Sequence, residues 1–371
     1  MKHYLYKATL IFIFFLISCN DDESNPVISN LANEITNQEV VRIIEENALT
    51  FPNNTQISIA IIDNENTEYI GVINNNGVFQ VTDNKNKIFE IGSITKIFTS
   101  ILLSDLIQKE QAELNETLQD QFDFTVQNGG EIELIQLANH TSGLPRLPSD
   151  YETVPNFDLN DPFASYTSEL LENYLDNVVV LNNPIGTQYE YSNLGMGLLG
   201  YILSKKTGKT YENLLKETIF EPLQMLNSTT LLSTIDQTQL VLGLDENGNV
   251  RSNWNFTNAA AGTGAIKSSV SDMGKFIHKN FENDIVYNFP QTATYTIGEG
   301  YEIGLAWNIL NDEGFTIFLH NGGTGGYRSS LALDKNNKKA VIVLSNVSGF
   351  NVDSELIDQL TLSLLENISI N

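Results

Sequence analysis

The chain has 371 residues, a formal net charge of −26, 41% hydrophobic residues and nine prolines. That balance excludes a disordered chain, and the shortage of Lys and Arg excludes binding that tracks nucleic-acid phosphates. A chain this long fits one large domain or two lobes, and its acidity reads as solubility rather than as a cationic partner.

At the N-terminus, Lys2 and Lys7 precede an apolar run over residues 8–17 that is too short to span a bilayer. The run ends in Leu16-Ile17-Ser18-Cys19, which resembles the lipobox of bacterial lipoproteins. That resemblance implies a signal peptide over residues 1–18, a lipid on Cys19 and a polar tether over about 19–35. Asn20-Asp21-Asp22-Glu23 resembles the acidic export tags of some surface-exposed lipoproteins of the Bacteroidetes type. The expected location is the bacterial cell envelope, at the outer membrane, on its periplasmic or cell-surface side. Cys19 is the only cysteine, so disulfides, Cys–His metal sites and a cysteine nucleophile are excluded.

The rest of the chain, 36–371, reads as one domain. Residues 38–47 have a helical stripe of Val40, Val41, Ile43 and Ile44. Residues 56–62 and 67–73 form a hairpin around Asn64-Glu65-Asn66. A helix starting near Ser93 carries Ile97, Phe98, Ile101, Leu102 and Leu106, the pattern of a buried central helix. The middle, about 110–255, is loop-rich and helical, with one helix over 194–206 stopped by Gly208. Strands return at 301–309, 315–320, 329–333 and 340–345, before a last helix with Leu356, Ile357, Leu360 and Leu364 on one face. The first hairpin and the last strands can share one antiparallel sheet. The helical middle then makes a second lobe, with a cleft between the two.

Ser93 is the only serine with a lysine three residues on, in EIGSITK. One helical turn places Lys96 on the same face, where it supplies the base that a serine nucleophile needs. Three further segments join it: QLANHTSGLP (136–145), the Tyr191-Ser192-Asn193 segment in GTQYEYSNLGMGLLG, and the His320-Asn321-Gly322 segment in FLHNGGTGGYRSS. Together with TYENLLKETIFEPLQM and AAAGTGAIKSSVSDMGKF they resemble the class C β-lactamase-related serine hydrolases, which include DD-peptidases, D-aminopeptidases and esterases. The resemblance covers about 57–344, with the segments in the family's order.

The resemblance implies an α/β (α+β) fold in which helices flank an antiparallel sheet, with an inserted, mostly helical lobe. It implies catalysis by Ser93, Lys96 and Tyr191, with the assignment of the base between Lys96 and Tyr191 left open. Asn193, His320 and Gly322 would bind substrate, and the N–H groups of Ser93 and Gly323 would form an oxyanion hole. No metal and no organic cofactor is implied. The partners expected are a small-molecule or peptide substrate and, through the lipid, a membrane; oligomeric state is left open.

His320 stands where β-lactamases usually carry lysine, so peptidase or esterase chemistry is expected over efficient β-lactam hydrolysis. A second reading is a non-catalytic lipoprotein that keeps the fold and binds peptide or glycan, against which the joint presence of Ser93, Lys96, Tyr191 and Asn193 counts. His140 is expected to shape a turn, and Arg328 to be a solvated strand residue. Lys206-Thr207-Gly208 matches the lysine triplet literally but ends a helix, and Gly208-Lys209-Thr210 lacks the first glycine of a phosphate loop. No Gly-x-Ser-x-Gly elbow is present.

Overall fold

A computed structural model describes residues 28–312 and 314–370; the expected signal peptide, Cys19 and the acidic residues after it lie outside them. Period-two alternation builds the sheet. In the Gln56–Asp63 strand, Ile57, Ile59 and Ile61 enter one apolar layer, while Ala60 and Ile62 enter the other. In Lys339–Ser345, Val341 and Val343 join the first layer, and Ala340, Ile342 and Leu344 the second. These two strands pair antiparallel, from Lys339 opposite Asp63 to Ser345 opposite Ile57. The early and late parts of the chain therefore share one sheet, as expected.

Ten strands follow the spatial order Ile28–Ser29, Val78–Val81, Asn66–Asn75, Gln56–Asp63, Lys339–Ser345, Arg328–Asp334, Phe315–Gly323, Asn308–Asp312, Tyr301–Ile303, Tyr295–Gly298. All neighbours are antiparallel except the first pair. Helices Gln38–Ala48 and Leu356–Ile370 cover one face. Thr95–Gln108 and Val270–Phe281 cover the other and join the core of the helical lobe. That lobe contains Leu134–Ala138, Ser168–Asn177, Asn193–Thr207 and Tyr211–Leu215.

Three local expectations need correcting. Residues 28–35 are not free tether: Ile28–Ser29 adds a parallel strand, and Leu31 is fully buried. The single strand expected over 301–309 is two, because Gly304 N–H turns back to the Trp307 carbonyl at 2.9 Å and Ala306 takes a positive φ of 62°. Short strands at Val78–Val81 and Tyr295–Gly298 were not expected either; four residues each, they are too brief for alternation to stand out.

The two lobes meet through small residues. The Asn193–Thr207 helix lies against the short helix Ala261–Gly264. A Cβ on Gly262 would sit 2.6 Å from the Met196 carbonyl oxygen, and one on Gly200 would sit 2.9 Å from the Gly262 Cα. Gly262→Ala is therefore expected to push the helices apart and destabilise the fold by about 1–3 kcal/mol. Thermal denaturation should show a Tm lower by a few degrees; an unchanged Tm would mean that the contact yields freely.

Candidate active site

The centre begins at a turn between a buried strand and a buried helix. Phe89–Glu90 pairs with Lys267–Ser268, a 3₁₀ turn follows over Gly92–Ile94, and Thr95–Gln108 then runs as an α-helix. Gly92 has φ +50°, where a Cβ would lie 2.8 Å from the Gly323 nitrogen. Residues 95–104 are all buried, so the helix passes through the core and carries Lys96 with it. Lys96 is fully buried, and its Nζ lies 3.0 Å from Ser93 Oγ and donates to the Thr263 carbonyl at 2.7 Å. Burial holds the lysine well below its ordinary pKa, and the positive charge of Arg146 adds to the shift. Among the described residues no carboxylate forms an ion pair with it.

Tyr191 and Asn193 come from the start of the Asn193–Thr207 helix. Ser192 caps it, accepting from Gly195 N–H at 2.9 Å and donating to the Pro145 carbonyl at 2.7 Å. The Asn193 and Leu194 N–H groups donate to the Arg146 carbonyl, which ties the helix start to the 136–146 loop. His140 lies in that loop with φ +61° and is buried, and its Nδ1 accepts from Ser192 N–H at 3.2 Å. It shapes the turn as expected, and its ring packs 4.6 Å from that of Tyr191. Lys96 Nζ and the Arg146 guanidinium lie 4.9 and 5.0 Å from the Tyr191 ring centre. Burial pushes the tyrosine up to about 12, while the Ser93 hydroxyl and Arg146 pull it back. The Asn193 Oδ1 is buried without a hydrogen-bond partner. It lies beside a narrow apolar pocket of about 260 Å³, counting its mouth, lined by Leu147, Tyr151, Phe163, Tyr166 and Thr263.

The third wall is the end of the Phe315–Gly323 strand. His320 is 3% exposed, and its Nδ1 lies 2.6 Å from the Asn321 carbonyl, so Nδ1 carries the proton and Nε2 is the acceptor. Burial is the main cause that lowers its pKa to about 3, and it keeps the imidazole neutral. Gly322 is required by close approach: a Cβ there would lie 2.1 Å from the Ile91 carbonyl oxygen and 2.9 Å from Ser93 N. Strand register aims the next N–H. Thr324 N–H donates to the Tyr327 carbonyl at 2.9 Å, so the Gly323–Arg328 pair before it is a non-hydrogen-bonded one. Gly323 N–H thus points away from that neighbour. On its other side, Asn308–Asp312 has already ended at Asn308, opposite Leu319. The Ser93 N–H, in the first helical turn, lies beside the same edge.

Ser93, Lys96, Tyr191, Asn193, His320, Gly322 and Gly323 therefore surround one cleft. Arg328 differs from expectation: it is mostly buried and ion-paired with Asp358. Lys206 is likewise occupied elsewhere, 2.5 Å from Glu116. Sequence reasoning missed Thr263, whose carbonyl accepts from Lys96 and whose hydroxyl donates to the Asn193 carbonyl at 2.9 Å. The segment AAAGTGAIK marked the region, but a backbone carbonyl leaves no residue-type signal. Arg146 over the Tyr191 ring was also missed. Chemically, the cleft brings together a serine hydroxyl, a lysine amine whose pKa burial lowers, a tyrosine phenol whose pKa burial raises, and the backbone N–H groups of Ser93 and Gly323.

The chain matches the β-lactamase family model over residues 57–366. A D-alanyl-D-alanine-carboxypeptidase/endopeptidase, AmpH, of Escherichia coli K12 is 29% identical over 307 residues, covering 76% of this chain and 77% of that protein. A β-lactamase/D-alanine carboxypeptidase structure from Yersinia pestis superposes with a TM-score of 0.74 at 23% identity, covering 89% of this chain and 99% of that one. A class C β-lactamase structure from Rhodobacter sphaeroides gives 0.73 at 17% identity, covering 90% and 99%. With the family model matched over most of its length, and the same fold at both structural neighbours, the chain belongs to the β-lactamase family.

Proposed function

We propose that this chain is a serine hydrolase that cleaves an amide or ester through an acyl-enzyme on Ser93. One observation carries the reading: a buried lysine amine, without an acidic partner, 3.0 Å from a serine hydroxyl. Neutral Lys96 takes the Ser93 proton as Oγ attacks the substrate carbonyl. The Ser93 and Gly323 N–H groups hold the oxyanion, which is worth about 3–4 kcal/mol per donor in the transition state. Tyr191, which keeps its proton at working pH, then relays a proton to the leaving group, and water releases the acyl group by the reverse sequence. Asn193, with its Oδ1 unpartnered, receives an N–H of the acyl part, and His320 presents Nε2 as a neutral acceptor beside it.

The substrates that fit are D-amino-acid peptides, cell-wall fragments or small esters, with a β-lactam as an acylating agent. The name of the AmpH relative supports the first of these. Residues 1–18 would be removed and Cys19 lipidated, anchoring the enzyme in the bacterial envelope, at the outer membrane.

A fluorescent penicillin should label the wild type, while Ser93→Ala should abolish labelling and lower ester turnover by at least ~10³-fold. Labelling that survives in Ser93→Ala would overturn the assignment. The acylation rate should rise with pH along a limb well below 10.5, because Lys96 is active above its lowered pKa. No break is expected near 6.5, since His320 stays neutral down to about 3, and no fall before Tyr191 ionises near 12. An acid limb centred near 10.5 would contradict the assignment of Lys96 as base. In a bacterial host, Cys19→Ser should move the protein from the membrane to the soluble fraction; retention in the membrane would refute the lipid anchor.

A further inference from the structure

The chain carries 46 Asp and Glu against 20 Lys and Arg, so an arginine without a carboxylate is unusual in it. It has four arginines, and three are paired: Arg42 with Glu39 and Glu46, Arg251 with Glu246 at 3.9 Å, and Arg328 with Asp358. Arg146 is the exception among the described residues. It is exposed, on the loop that holds the start of the Asn193–Thr207 helix, and its guanidinium lies over the Tyr191 ring. The other cations facing the cleft offer no substitute. Lys96 is buried behind Ser93, His320 is held neutral, and Arg328 is spent on Asp358. The pocket beside Asn193 is apolar, and Leu147, which follows Arg146, lines it.

From this arrangement we infer that Arg146 is a specificity-determining residue that binds a free carboxylate on the substrate, at the Tyr191–Asn193 wall of the cleft. A guanidinium suits that role because it stays charged at every working pH and can grip a carboxylate with two parallel N–H bonds. The Tyr191 ring, 5.0 Å from it, holds the guanidinium at this wall by cation–π attraction. The inference deepens the acyl-enzyme reading of Ser93 and rests on it. It places the charge recognition of this enzyme on the helical lobe instead of on the strand that carries His320.

Two matched pairs of substrates test it: p-nitrophenyl hemisuccinate against p-nitrophenyl butyrate, and acetyl-D-alanyl-D-alanine against its C-terminal amide. Wild type, Arg146→Gln and Arg146→Lys are compared by kcat and KM. In Arg146→Gln, the charged-to-neutral ratio of kcat/KM should fall roughly tenfold or more in at least one pair, through KM. Arg146→Lys should restore part of it. The pair that responds shows whether the carboxylate belongs to the acyl part or to the leaving group. Because a change in the Lys96–Tyr191 machinery affects both members of a pair, it cancels in the ratio. Ratios unchanged within about twofold, in an enzyme that turns over these substrates, overturn this inference alone. No Ser93-dependent turnover or labelling in the wild type overturns the acyl-enzyme reading and this inference with it.

Discussion

A lysine amine buried behind a serine, with no acid to neutralise it, is the constraint around which the rest of the site is arranged. A buried ammonium without a counter-ion costs several kcal/mol, and that cost is what drives the pKa of Lys96 well below its ordinary value. The same chain holds a second fully buried lysine, Lys267, with a different fate. It lies opposite Glu90 in the short two-stranded pairing, donates to the Trp254 carbonyl at 3.0 Å, and is drawn back toward its charged form by Glu90, Asp161 and Glu212. Lys96 has none of these acids, only the added repulsion of Arg146. Burial lowers the pKa of both lysines, but nearby acids oppose the shift at Lys267 while Arg146 adds to it at Lys96.

The fold keeps that amine where it is useful. The Thr95–Gln108 helix is buried along its first ten residues, which keeps Lys96 out of water with its Nζ 3.0 Å from Ser93 Oγ. Thr263 links three elements, taking a hydrogen bond from Lys96 and giving one to the carbonyl of Asn193. Glycines at 197, 200 and 262 let the helical lobe come close enough for that link to form. On the opposite wall, the strand end and the Ser93 turn cross at Gly92 and Gly322, both of which would clash with added side-chain carbon. The two proposed oxyanion donors are therefore backbone groups on rigid elements and need no rearrangement to receive charge.

Much of this was legible in the sequence where chemistry is written in residue types at fixed spacing. Ser93-x-x-Lys96, Tyr191-x-Asn193 and His320-x-Gly322 are of that kind, and the apolar runs at 56–62 and 340–345 marked the central strands. The Gly208 stop was equally visible, and it caps its helix at φ +66°. Features made by tertiary contact were not visible. The Thr263 carbonyl, the placing of Arg146 over the Tyr191 ring and the Arg328–Asp358 pair depend on which segments fold together, and Asp358 is 30 residues from its arginine. The docking of residues 28–35 was hidden for a related reason: a polar stretch with isolated Ile28, Leu31 and Ile35 shows no period, yet Leu31 finds a complete apolar layer waiting. The open choice between Lys96 and Tyr191 as base also needed structure, because burial moves the two in opposite directions, lowering the amine and raising the phenol.

The most direct test of that division of labour is a titration of the Lys96 amine itself. Protein carrying ¹³Cε-labelled lysine would be followed by NMR across the pH range, with the Lys96 signal identified by its absence in Lys96→Met. A switch to the neutral-amine chemical shift at a pH well below the ordinary lysine range is the result expected from a buried lysine without a counter-ion. A Lys96 signal that stays in the ammonium position up to pH 10 would contradict it and would remove the base from the site.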